Sequence, residues 1–318
     1  MKLIKFGKPF AFPASLALAA SLLVACNADE AGNKDDANEA MADPETAAKT
    51  VDAIEADEDL AAMLPEEYKD EIVFGMRFTF PPMRYEEGGK RYGAEYELGR
   101  AVTKKLGAEY KIELVAFDGL VPALKAKRID VALASWADLP ERRNEASFVD
   151  YYRSATALMV KKGNPDKIEG IKDLCGRSIA LQTGVESVKR AEKQNETCKS
   201  DGKEPIDIQL YESSNDATLA VVNGRADSTA NDYPAAVNES QTVGNGEALE
   251  IVDKPISSDY YYGLGTRTDD AVLQEALRDA VQSLMDSGEY KTIMEAYGVE
   301  RGMIEKSGIN AGPAKGEA

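Results

Sequence analysis

Arg142 and Asp232 are the two side chains whose types and settings could do chemistry together. Arg142 follows Pro140 in FDGLVPALKAKRIDVALASWADLPERR, residues 117–143, and Asp232 lies in ATLAVVNGRADSTANDYPAA, residues 217–236. A fixed guanidinium donates two parallel hydrogen bonds to a carboxylate, while a carboxylate accepts from an ammonium. Facing each other across a cleft, the pair would suit a zwitterion. The competing reading is surface charge, which residue type alone does not exclude.

Both segments run helix, Arg-x-Asp, apolar strand, polar residue. Arg128-Ile129-Asp130 corresponds to Arg225-Ala226-Asp227, and Ser135 and Asp232 each follow their Arg by seven positions. Equal offsets place these two side chains at the ends of equivalent strands. Open α/β sheets collect ligands at that edge. Asp118 is expected to cap the first helix, and residues 130–135 to form a buried parallel strand.

The surrounding pattern is that of two α/β lobes. Strands are expected at 71–76, 110–116, 154–162, 178–182, 207–211 and 260–266. Helices are expected at 95–106 and 185–194, after Ser213 or Ser214, from Pro234, and at 269–287 and 289–297, the last two separated by Gly288. Residues 303–318 read as a loose tail.

The chain contains no histidine. This excludes Ser-His and Cys-His nucleophile pairs and any imidazole shuttle. With three cysteines and no histidine, the chain lacks the ligand set of a usual zinc site. Cys175 and Cys198 are either a disulfide or two free thiols; export favours the disulfide, worth ~3 kcal/mol in the chain-entropy account.

Residues 1–25 combine three lysines, no acid and an apolar run, the pattern of a secretory signal. Leu23-Val24-Ala25-Cys26 resembles a lipoprotein cleavage box, which implies lipidation of Cys26, with palmitate among the acyl chains. Several chains on one residue anchor stably where one does not. Removing the leader's lysines takes the formal charge from −18 to −21, and twelve acids against two lysines fall in residues 27–59. Residues 26–67 therefore read as a flexible acidic tether, within which AAKTVDAIEADEDLAAML could form a transient helix. So acidic a chain is no partner for nucleic acid.

Taken together, these landmarks resemble the bacterial extracellular solute-binding proteins of family 3, the amino-acid receptors of ABC importers. The matching pieces are IVFGMRFTFPPMRY, YGAEYELGRAV, FDGLVPAL, RIDVALAS and PERR, then GRSIALQTG, GRADSTANDYPAA, YYGLGTR and SGEYKTIMEAYG, across roughly residues 70–300. The resemblance implies a two-lobed periplasmic-binding-protein fold of type II. Lobe 1 would hold residues 68–160 and 256–302, and lobe 2 residues 161–255. Two crossover strands would join them, and the cleft would close by a hinge. It implies a monomer without cofactor, working with permease subunits and anchored to a membrane through Cys26.

Carried across by position, Arg142 would hold the ligand's α-carboxylate, Ser135 would line that end, and Asp232 would accept from the α-ammonium. Phe80 would be an aromatic wall, and the amides beginning at Gly184 would offer an anion site at a helix N-terminus. Trp136 is a further pocket candidate. Departures from the family pattern are Ala137, Val185, Glu186 and Trp136. Arg77 stands where members often carry an acid, which points to an anionic ligand side chain; pairing with Glu141 or with solvent is the other reading. Two other functions use the same resemblance: an exported prephenate- or arogenate-type dehydratase, with Glu186 or Glu141 as acid, and a ligand sensor for a receptor kinase.

Overall fold

The computed structural model describes residues 43–183, 185–254 and 260–312. Its first sheet holds β1 (Glu71–Met76), β5 (Glu109–Leu114), β6 (Val131–Ala132), β7 (Ala137–Asp138), β8 (Ser147–Ser154) and β14 (Tyr260–Thr266). The path is β5-β1-β6-β14-β7, with β8 on β14. β1 runs parallel to β5 and β6, and β14 antiparallel to its neighbours. A small sheet of β2 (Thr79–Phe80), β3 (Arg84–Glu87) and β4 (Lys90–Tyr92) follows β1, after which comes α3 (Ala94–Lys105).

The second sheet repeats the scheme. β10 (Ser178–Gln182), β11 (Asp207–Tyr211) and β12 (Ser228–Asp232) are parallel, and β9 (Thr156–Lys161) and β13 (Leu249–Ile251) complete the order β11-β10-β12-β9-β13. The Arg-x-Asp repeat has a structural cause here. Asp130 accepts from the Val73 amide at 2.9 Å and Asp227 from the Ser178 amide at 2.7 Å, so each acid stitches the start of its strand to the next. α5 (Glu186–Ser200), α6 (Ser214–Val222) and α7 (Tyr233–Thr242) flank this sheet. Cys175 and Cys198 form a disulfide that pins the approach to β10 onto α5.

Because β9 pairs with β12 and β13, the chain leaves lobe 1 at Ala155, not at residue 160. The return crossing leads from β13 to β14. The 130–135 strand is shorter than its apolar run suggests: it holds its ladder only at Val131–Ala132, and Ser135 adopts φ 48°. Asp118 caps nothing; it lies in a short 3-10 turn, and α4 (Leu120–Lys125) starts after Gly119 without a side-chain cap.

Two terminal segments expected to be loose are folded. α1 (Pro44–Asp52) is capped by Asp43 and buries Ala47 and Val51 completely. It packs on α3 and on α9 (Glu289–Ala296), and α2 (Glu58–Met63) packs on α8 (Ala271–Ser287). An Arg100–Asp52 ion pair at 2.5 Å ties α1 to α3. The tether reading therefore fails from Pro44 onward. At the other end, residues 303–312 lie against β8, with bridges from Met303 to Tyr152 and from Ile309 to Val149. The leader and Cys26 lie outside the described residues, as do Gly184 and residues 313–318.

Candidate functional site

The parallel strands fix where the site lies. β1, β5 and β6 end on one edge of the lobe-1 sheet, so Arg77, Phe117 and Ser135 follow strand ends that lie side by side. Arg77 is exposed there. Arg142 reaches the same edge: its guanidinium sits 5.9 Å from the centre of the Phe117 ring, and its Nη1 donates to the Ala137 carbonyl at 3.1 Å. Burial disfavours the charged form and lowers the Arg142 pKa, while Glu141 and the Tyr260 phenol act in the opposite direction.

Asp232 closes β12 on the corresponding edge of lobe 2. Its two oxygens accept from Tyr260 at 2.6 Å and from Tyr262 at 3.0 Å, both on β14 of lobe 1. Burial raises its pKa, and the two phenolic hydrogen bonds pull it back down. Tyr260 and Tyr262 thus tie the acid at the end of β12 to β14 of lobe 1.

The remaining sequence candidates divide. Ser135 lies at the expected edge, but its groups are already engaged. Its amide and its hydroxyl each donate to Glu95 Oε1 at 2.7 Å, and its hydroxyl accepts from Arg84 Nη1 at 2.8 Å. Arg84 pairs with Glu95 at 2.7 Å, and Tyr151 donates to the same carboxylate. Ser135 is thereby part of a buried network within lobe 1. Phe80 packs under Arg84, whose guanidinium lies 5.3 Å from its ring centre.

Trp136 lies behind Phe117, its ring centre 6.5 Å from that ring. It is 4 % exposed, meets Phe148 edge-on at 4.9 Å, and fills the space left by Gly265, where an added Cβ would lie 2.5 Å from the indole. Phe117, which sequence reasoning passed over, is 53 % exposed beside Arg142. The signal for it was its place just past the end of β5. Arg143 also differs from its neighbour: it grips Asp138 through two hydrogen bonds of 2.7 and 2.8 Å.

Among the described residues there is no cluster of three metal-binding side chains. The site offers a guanidinium, a carboxylate, phenols and aromatic faces. That set can hold a small zwitterion by its two charges, with an aromatic wall beside it.

Comparison with known proteins identifies the family and the fold. The model of the bacterial extracellular solute-binding proteins, family 3, matches residues 72–300. An arginine-binding protein of Corynebacterium glutamicum is 27 % identical over 259 residues, covering 80 % of this chain and 84 % of that protein. An ancestral arginine-binding protein has been solved with arginine and with glutamine. The two structures superpose with TM-scores of 0.56 at 28 % identity, covering 71 % and 72 % of this chain and 97 % and 98 % of theirs.

Proposed function

Since this chain belongs to the bacterial extracellular solute-binding proteins of family 3, we propose that it captures an amino acid between its two lobes and delivers it to an ABC permease. Arg142 takes the α-carboxylate and Asp232 the α-ammonium. The observation that carries this reading is the grip of Tyr260 and Tyr262 on Asp232, which ties the lobe-2 acid to the lobe-1 sheet. Phe117 and Phe80 supply the aromatic walls for the side chain.

Arg77 sets the preference. A guanidinium at the end of β1 repels a cationic side chain and attracts a carboxylate, so we favour an anionic amino acid here. This separates the chain from relatives named for arginine, and one scaffold of this kind has been solved with both arginine and glutamine. Lipidation at Cys26 would tether the receptor to the membrane face outside the cytoplasm.

Isothermal titration with each standard L-amino acid tests the reading. Glutamate or aspartate should bind, and Arg142→Ala and Asp232→Asn should each weaken binding by about 100-fold, the cost of leaving one buried charge unpaired. Binding of arginine or lysine but not of the acidic amino acids would overturn the anionic preference. Turnover of prephenate or arogenate would overturn the receptor reading itself.

A further inference from the structure

The chain continues past the family match at residue 300, and that continuation runs to the arm that carries Arg142. It joins β8 on the edge opposite β14, through the bridges at Met303 and Ile309. Ser307 Oγ donates to the Asp150 carbonyl at 2.7 Å, and the Asp150 amide donates to the Gly308 carbonyl at 2.8 Å. Asn310 exchanges two hydrogen bonds with the Phe148 backbone. The segment ends in a tighter grip. The Ala311 amide donates to Asp150 Oδ2 at 2.9 Å and the Gly312 amide to Asp138 Oδ2 at 2.8 Å. Arg143 Nη2 returns a bond of 2.8 Å to the Gly312 carbonyl.

We propose that residues 307–312 are a positioning strap for the ligand-binding arginine, acting through Arg143; the inference rests on the receptor reading given above. The two-residue strand β7 is the shared part. Its Ala137 carbonyl accepts from Arg142, and its Asp138 carboxylate, wholly buried, accepts from Arg143 and from Gly312. Arg142 and Arg143 are adjacent, so fixing the second guanidinium on Asp138 and Gly312 fixes the backbone from which the first projects. A long side chain held in advance loses less freedom when a carboxylate arrives. The strap touches no ligand; it lowers the cost of presenting Arg142. The alternative is a strap that only covers a bare strand edge.

Gly312→Ala in the full chain separates the two. A Cβ at this position would lie 2.7 Å from Asp138 Oδ2 and 2.9 Å from the Asp138 carbonyl oxygen, so the strap's end must lift. We expect the dissociation constant of the tightest-binding standard amino acid to rise about tenfold. Arg143→Lys, which keeps the charge and loses the fork, should raise it similarly, and the double variant should be no weaker than Arg143→Lys alone. Met303→Ala, outside the strap but packed on the lobe-1 core, should lower the melting temperature without moving affinity. Unchanged affinity in both Gly312→Ala and Arg143→Lys would overturn the proposal. Should the unaltered chain bind none of the standard amino acids, the receptor reading fails. The strap is then judged by hydrogen exchange at the Arg142 amide: faster exchange in Gly312→Ala supports it, and an unchanged rate overturns it.

Discussion

On the receptor reading proposed above, Asp232 is the residue on which the chemistry of the cleft turns. Burial penalises its charge, and the unliganded site offers two neutral phenols in partial compensation. An ammonium would offset that penalty, so the liganded carboxylate has the lower pKa of the two states. Affinity is therefore full above the pKa of the free site and falls as pH drops through it, by about tenfold per unit for one linked proton. The free-site pKa lies above the ordinary 3.8. Titrations repeated from neutral to acid pH should show this loss with proton release on binding, and Asp232→Asn should abolish the pH dependence along with most of the affinity. The sequence placed Ser135 and Asp232 at equivalent strand ends because equal offsets in a repeat survive folding. It passed over Phe117 and did not show how deeply Trp136 is buried, because which side chain turns into a core depends on partners distant in sequence, here Phe148 and Gly265. The Arg84–Glu95–Ser135 network was hidden for the same reason: it joins β3, α3 and the end of β6.

Elements whose apolar period was clean were legible: β1, β10, β11, α3, α8 and the left-handed joint at Gly288 agree with their patterns. The terminal segments were not. Composition averaged over 26–67 reports acidity, yet α1 needs only the one-turn stripe of Ala47, Val51 and then Ile54 to dock on α3 and α9. Placing a charge on that stripe should be costly: Val51→Asp is expected to reduce stability by about 3 kcal/mol in denaturant titration. Exposed Glu55→Gln, just past the helix, should change little. The strap carries a different signature. Asp150, buried and beside Asp138, has its pKa pushed up to about 8, with desolvation the leading cause and Arg143 and the Ala311 amide acting against it. An acid whose folded pKa is raised contributes stability below its unfolded value near 3.8, and loses it as pH rises toward 8. Stability measured by urea unfolding should thus carry a component that declines between those limits, at up to about 1.4 kcal/mol per pH unit for one proton. Asp150→Asn should remove that component.

At the scale of the molecule, the two lobes have separate interiors. Among the described residues, the apolar clusters around Phe74, Leu98 and Leu277 and around Leu120 and Trp136 draw only on lobe 1. Those around Leu158 and Ile179 and around Ala180 and Leu249 draw only on lobe 2. Two crossings, the grip of Tyr260 and Tyr262 on Asp232, and Arg301 over the Tyr233 ring are among the contacts that join them, which is little cohesion compared with either core. Such a molecule is expected to unfold in two calorimetric transitions when unliganded. The transitions are assignable through the disulfide, which lies wholly in lobe 2 with its cysteines 23 positions apart in sequence. Reduction removes ~3 kcal/mol of chain-entropy stabilisation from lobe 2 alone, so one transition should fall in temperature while the other holds. A ligand that bridges Arg142 and Asp232 binds only when both lobes are folded, and mass action then stabilises them together. Saturating amino acid should draw the two transitions into one, and the Asp232→Asn variant should leave them apart. A single transition in the unliganded chain, unaffected by reductant, would mean that the lobes are coupled by more than this cleft.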